Sequence, residues 1–494
     1  MRKSRRWLTL LGIVLLASAG YPEGLTLTPT QVTSGGTTAG HPAPLQDRWS
    51  NPEQERWVEE PVFNGRLHLV EAGQHNPQTI ILIHGLGYRG ILDWAQVFPR
   101  LADRYHVIAI DLPGFGSSDK QQVQYAPQNY ARLVNWTVSQ YAHGPVIVIG
   151  HSMGGAVGLR YAQNYPEQAS RLIMVDTAGV LQRTVFIKHI ARVPVTYEWS
   201  APYQETIPML DKLIQKVARK ADNWTGSLLV IMDRMIDIPQ LMMSSSLARQ
   251  YLYKDRSSMN AALGLVYEDF STAIREVDLP THIIWGEHDN VAPIRTGTLL
   301  ANLMPNAELH VIGKAGHVPM TANFADFMAV LTHALEQSPR ARQAQERLEL
   351  IENQEMVQEN TSCEGQNDLV YTGHHGVIRL LNCRGVVLRD LVAESIEMTG
   401  SEVSMENVKL DSPSIGMTAS NSVVSATLLQ VDANAGMAVE NSYLDLAGAD
   451  FVTRNTLVDI RKDSRIYFSL SRYHQGGQIY NLHGVSLGPV FNLN

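Results

Sequence analysis

A succession of short, continuous apolar runs, separated by segments of helical spacing, constrains this chain more than any other feature. The runs are TIILIHG (79–85), HVIAID (106–111), VIVIG (146–150), RLIMVD (171–176) and THIIWG (281–286), with RLHLVEAG before them and ELHVIGKAGH after. A strand with one solvated face alternates apolar and polar residues, whereas an unbroken apolar run is covered on both faces. Between the runs lie ILDWAQVFPRLADRY and YARLVNWTVSQYA, apolar at helical spacing, and FADFMAVLTHALEQ closes the series. Strand and helix in turn predict an α/β fold with a parallel sheet between helical layers.

The rhythm breaks once, in a helix-prone insert from 180 to 272. Six of the chain's 17 methionines lie there: Met209, Met232, Met235, Met242, Met243 and Met259. Such an insert reads as a helical lid whose adaptable apolar side chains line a substrate pocket. A helical subdomain with a soft core is the competing reading.

In VIVIGHSMGGAVGLRYA the third run turns straight into a helix through Gly150, His151, Ser152, Met153 and Gly154. A plain turn with a serine N-cap would explain the stretch by itself. The partners lie elsewhere in the chain. A serine hydroxyl becomes a useful nucleophile only beside a base, an acid that orients the base, and donors for the developing oxyanion. Asp289 follows the end of one apolar run and His317 the end of the next, so both are expected at the sheet edge that carries Ser152. The N–H groups of Met153 and of Leu86, in HGLG (84–87), are the expected oxyanion donors.

HGLG, DLPGFGSSD (111–119), GHSMGG (150–155), WGEHD (285–289) and AGH (315–317) occur in the order in which the α/β-hydrolase superfamily carries them. Residues from about 60 to 337 resemble that superfamily, in the branch of esterases, lipases, carbon–carbon bond hydrolases and proline iminopeptidases. The resemblance implies an α/β-hydrolase fold with Ser152 as nucleophile, His317 as base and Asp289 as acid. His84, Gly85, Gly150 and Gly154 would be the structural residues of the motifs. Some members place the acid after the preceding strand, here at Asp176. A serine rather than an aspartate at position 152 speaks against haloalkane dehalogenases and epoxide hydrolases.

The ends of the chain have other textures. Arg2, Lys3, Arg5 and Arg6 precede the apolar run WLTLLGIVLLASA, and Ala17, Ser18 and Ala19 supply a small-residue cleavage site. Residues 1–19 therefore read as a signal peptide and 20–54 as a spacer, with an uncleaved N-terminal anchor as the alternative. The protein is expected to be exported, to the periplasm or beyond. The α/β domain occupies 55–337 and a charged helical connector 338–360. Residues 361–494 contain only short β-prone pieces, and Met398, Met417 and Met437 recur 19 and 20 residues apart in similar contexts. That period predicts an all-β, right-handed parallel β-helix, a solenoid with one repeat per coil, with a β-sandwich of irregular strands as the competing reading. The two cysteines, Cys363 and Cys383, are also 20 apart, so stacking of equivalent positions would bring them within disulfide reach.

A net charge of −8, with no basic cluster beyond the first residues, argues against nucleic acid as a partner. No cofactor motif or metal-ligand spacing is apparent: GFGSSD lacks the lysine of a phosphate loop, and His374 and His375 have no ligand partners at suitable spacing. The expected activity is serine-dependent hydrolysis of a carboxylic ester, on a small-molecule or lipid substrate with an apolar acyl group. Cleavage of an N-terminal proline peptide bond or of a carbon–carbon bond uses the same machinery. A solenoid-driven protein that binds envelope polysaccharide is the reading from another class.

Overall fold

The computed structural model describes residues 51, 54–121, 123–181, 257–341, 343–353 and 359–487. The expected signal peptide, nearly all of the spacer and most of the lid, 182–256, lie outside the described residues. Among those described, no helix is long and apolar enough to cross a membrane.

The N-terminal part is one eight-stranded sheet. Its strands are β1 (Glu55–Glu60), β2 (Gly65–Ala72), β3 (Thr79–Ile83), β4 (His106–Ile110), β5 (Val146–His151), β6 (Ala169–Val175), β7 (Thr281–Gly286) and β8 (Ala307–Ile312), in the order β1-β2-β4-β3-β5-β6-β7-β8. From β4 to β8 every pairing is parallel, whereas β1, β2 and β4 pair antiparallel. The unbroken apolar runs have the expected cause. Ile81 and Ile83 face one core together with Ile108, Ile110, Val146 and Val148. Ile80 and Leu82 face the other with Val107, Ala109, Ile147 and Ile149. Each fully buried side chain of this kind contributes about 1.5–3 kcal/mol.

Helices Pro127–Tyr141, Met153–Asn164, Ile294–Leu303 and Phe324–Glu336 cover the sheet. The segment ILDWAQVFPRLADRY, expected as one helix, is instead a 3₁₀ turn, Gly90–Trp94, and a short helix, Phe98–Ala102. Pro99 is the reason: proline fits the first turn of a helix but not its interior, so the helix has to start afresh at Phe98.

Residues 361–487 are all β. Strands β9 (Thr361–Glu364), β10 (Val370–Leu381), β11 (Val386–Thr399), β12 (Glu402–Ser420), β13 (Val423–Glu440), β14 (Tyr443–Ala447), β15 (Asp450–Thr453), β16 (Val458–Arg461) and β17 (Arg465–Gln475) stack in parallel. This is the stacking expected of a solenoid. β18 (Gln478–Leu487) turns back antiparallel along β17 and covers the edge that the last coil would otherwise leave open.

The methionine alignment is only half right. Met417 pairs with Met437, but Met398 pairs with Ala419, because β12 carries extra residues between Leu410 and Met417. The true register is kept by the turns. The N–H of Cys383 donates to Ser401 Oγ, that of Ser401 to Ser422 Oγ, that of Ser422 to Ser442 Oγ and that of Ser442 to Ser464 Oγ, at 3.0, 3.1, 2.9 and 3.3 Å. Asn382, Gly400, Asn421 and Asn441 precede four of these five positions with φ of 54°, 62°, 50° and 46°, a conformation asparagine and glycine tolerate best. Cys363 and Cys383 are joined, with Cα atoms 6.5 Å apart. They are not equivalent positions, however: Cys363 pairs in register with Leu380, and Cys383 lies in the following turn.

The all-β part is packed onto the sheet domain. Leu470 is buried in the apolar core of the α/β part, where Arg275 Nη2 donates to its carbonyl at 2.7 Å. Leu299 and Ala344 form a cluster with Leu428, Ala447 and Tyr467.

Candidate active site

β5 ends at His151, and Ser152 follows with φ 52° and ψ −117° before the helix Met153–Asn164 begins. A non-glycine residue in this region is strained, and such strain persists only where surrounding structure enforces it. Here the enforcement is close packing. A Cβ on Gly150 would lie 2.2 Å from the carbonyl oxygen of Gly154, and one on Gly154 would lie 2.3 Å from that of Ile83. Gly85 is less tightly placed, but a Cβ on it would still stand only 2.9 Å from the Ser152 Cβ. Only glycine lets β5, the helix and the 84–87 loop meet at this distance.

The three side chains expected to converge do so. His317 Nε2 lies 3.1 Å from Ser152 Oγ, and His317 Nδ1 lies 2.8 Å from Asp289 Oδ2. All three residues are buried. Asp289 Oδ1 accepts the N–H groups of Val291 at 2.7 Å and Ala292 at 3.0 Å. Burial pushes the Asp289 carboxyl up, but the charge and hydrogen bond of His317 and these two N–H groups outweigh it, holding the acid below its ordinary range.

Asp176, the other candidate acid, is also here. It does not hold the imidazole. Its Oδ1 accepts the N–H of Gly286 at 2.8 Å, and its carboxyl stands beside the Asp289 carboxylate and the His317 imidazole, one polar atom of each lying within 4.8 Å of the others. Complete burial, reinforced by the Asp289 charge, pushes it well above the ordinary carboxylate range. The sequence does not give this pairing, because the two carboxylates are far apart along the chain.

His84 braces the first loop: its Nδ1–H donates to the Gly85 carbonyl at 2.7 Å, and its Nε2 accepts the Leu112 N–H at 2.9 Å. Leu86 sits in this loop, half-buried, and Met153 is the first residue of its helix, where an N–H has no acceptor within the helix. His151, missed by the sequence reading as a contributor, donates from Nε2 to the His317 carbonyl at 2.8 Å. Burial, together with the nearby His317, pushes His151 down to about 3, so it stays neutral and acts as a brace.

The sequence profile of the alpha/beta hydrolase fold family matches residues 78–321. This segment belongs to the α/β-hydrolase fold family. An uncharacterised protein of Mycobacterium tuberculosis is 29% identical to this α/β-hydrolase over 284 residues, 55% of this chain and 80% of that one. A 2-hydroxy-6-oxo-6-(2'-aminophenyl)hexa-2,4-dienoic acid hydrolase of Metapseudomonas resinovorans is 28% identical over 283 residues, 56% of this chain and 91% of that one. Among solved structures, a thermophilic esterase from Thermogutta terrifontis aligns at 20% identity with a TM-score of 0.41, over 57% of this chain and 98% of that one.

Proposed function

We propose that this α/β-hydrolase cleaves carboxylic esters through an acyl-enzyme formed on Ser152. The observation that carries the reading is the continuous relay from Asp289 through His317 to Ser152, at 2.8 and 3.1 Å. His317 takes the Ser152 proton as the hydroxyl oxygen attacks the ester carbonyl. The N–H groups of Leu86 and Met153 stabilise the oxyanion. Collapse of the tetrahedral intermediate expels the alcohol, protonated by His317, and water repeats the sequence to release the acid. The apolar acyl group and export remain part of the proposal, resting on the methionine-rich insert and the N-terminal segment.

The Metapseudomonas relative favours a second reading, hydrolysis of a carbon–carbon bond beside a ketone, with the same serine and histidine. A panel of p-nitrophenyl esters of increasing chain length, run beside a vinylogous 1,5-diketone acid, separates the two. Ester turnover lost in Ser152→Ala supports the first reading. Turnover of the diketone acid alone overturns it.

A further inference from the structure

At the opposite end of the strands from Ser152, the sheet carries a second cluster of polar side chains that the ester chemistry does not use. β7 and β8 pair in register with His282 opposite Glu308 and Ile284 opposite His310. Alternation along each strand places His282, Glu308 and His310 on one face, the face that Ile284 and Ile312 share with Phe327 and Leu331 of the covering helix. An apolar core thus gives way, at its last layer, to two imidazoles and a carboxylate. His282 Nδ1 and His310 Nε2 are 2.9 Å apart, His310 Nε2 lies 3.9 Å from Glu308 Oε2, and donor atoms of all three fall within 4.8 Å of one another. His333, in the last turn of the covering helix, holds its ring 5.4 Å from that of His310 and 6.2 Å from that of His282.

We propose that His282, His310 and Glu308 bind a divalent transition metal of the Zn²⁺ class, with His333 in reach as a fourth ligand. The donor set selects the metal: imidazole nitrogens with one carboxylate suit Zn²⁺ and its neighbours, whereas Mg²⁺ and Ca²⁺ require oxygen. The surroundings supply what a ligating histidine needs. His282 Nε2 lies 3.1 Å from the Gln337 carbonyl, so in the metal-bound form a proton on Nε2 would be held by the backbone and the Nδ1 lone pair would face the metal. Glu308 Oε2 is fixed by the Arg340 N–H at 2.9 Å. Arg171 Nη1 also approaches His282 Nε2, at 3.1 Å, but on the side of the ring away from Nδ1, and it donates to the carbonyls of Ala334 and Gln337. Without metal, Arg171 donates to Nε2 and the Nδ1 proton bridges to His310; with metal, His282 changes tautomer and donates to Gln337. Metal would tie the edge strand to β7 and, through His333, to the helix that leads into the connector.

The test uses the full-length untagged protein, stripped with chelator. Zn²⁺ titrated by calorimetry is expected to bind at one equivalent, raising Tm, and Co²⁺ is expected to give the intense visible bands of a four-coordinate N/O site. His282→Gln and His310→Gln should each weaken Zn²⁺ binding at least about tenfold, while fluorophosphonate labelling of Ser152 persists and shows that each variant is folded. Absence of saturable Zn²⁺ binding, or binding that both variants leave intact, overturns the proposal. A Co²⁺ spectrum of only the weak six-coordinate hydrated type overturns it on the wild-type chain alone, whatever the variants do.

Discussion

Arg295 and Asp445 join the two β-structures: Arg295 Nη1 donates to Asp445 Oδ2 at 2.7 Å, both side chains largely buried. The same guanidinium donates to Thr427 Oγ1 at 2.7 Å and to the Ala426 carbonyl at 2.6 Å. Arg295 is the second residue of the helix Ile294–Leu303, which begins directly after the loop whose N–H groups hold Asp289. One end of that loop is therefore anchored by the solenoid, and the other by β7.

Arg295→Ala should accordingly lower stability by about 2–3 kcal/mol, since it leaves the Asp445 carboxylate, the Thr427 hydroxyl and the Ala426 carbonyl without their charged donor. A single cooperative thermal transition with reduced Tm is the expected result. Removal of residues after 360 should be worse, because it strips Leu470 from the α/β core and uncovers Leu299. A truncated protein with the Tm and labelling rate of the full chain would show that the solenoid is merely appended.

Ser152→Ala should abolish fluorophosphonate labelling, and Asp289→Asn should lower kcat on the order of 10⁴-fold by presenting the wrong partner to His317 Nδ1. Rates measured on the best p-nitrophenyl ester check both. An Asp289→Asn enzyme within tenfold of wild type would remove that residue from the relay.

Asp176 distinguishes support from catalysis. Because burial and the Asp289 charge favour its protonated form, Asp176→Asn should keep kcat within about threefold, its amide replacing the carboxyl. Asp176→Ala leaves the Gly286 N–H unpaired and should cost about 1–3 kcal/mol of stability. Collapse of kcat in the asparagine variant would instead make Asp176 the working acid.

His151 sets a pH dependence. Its folded-state value, about 3, lies below the ordinary 6.5, so between these limits the unfolded chain binds the extra proton. Stability is full above 6.5 and is lost as pH falls towards 3. His317, Asp289 and His84 face this ring, and His151→Asn leaves them in place. Denaturant melts across pH 3–7 should show the acid slope reduced by up to about 1.4 kcal/mol per pH unit. Superimposable profiles would contradict the assignment.

Cys363 and Cys383 close a loop of 20 residues. Reduction should lower stability by about 3 kcal/mol if the bond acts by restricting the unfolded chain. Thermal melts with and without reductant read this directly, and mass spectrometry without reductant should find no free thiol.

Much of this was written locally. Unbroken apolar runs declare a sheet covered on both faces, because burial is decided residue by residue along each strand. Glycines around Ser152 declare a turn too tight for a Cβ. Asparagine or glycine before Cys383, Ser401, Ser422 and Ser442 encodes the solenoid's register, although the more conspicuous methionines suggested a slightly different one. What no local pattern could state is which distant groups meet. That Asp176 lies against Asp289, that His282 faces His310 across two strands, and that Arg295 reaches into the solenoid are facts of packing. They depend on strand order and on burial in a shared interior, where the energy of a charge is set by neighbours well separated along the chain as much as by its own side chain.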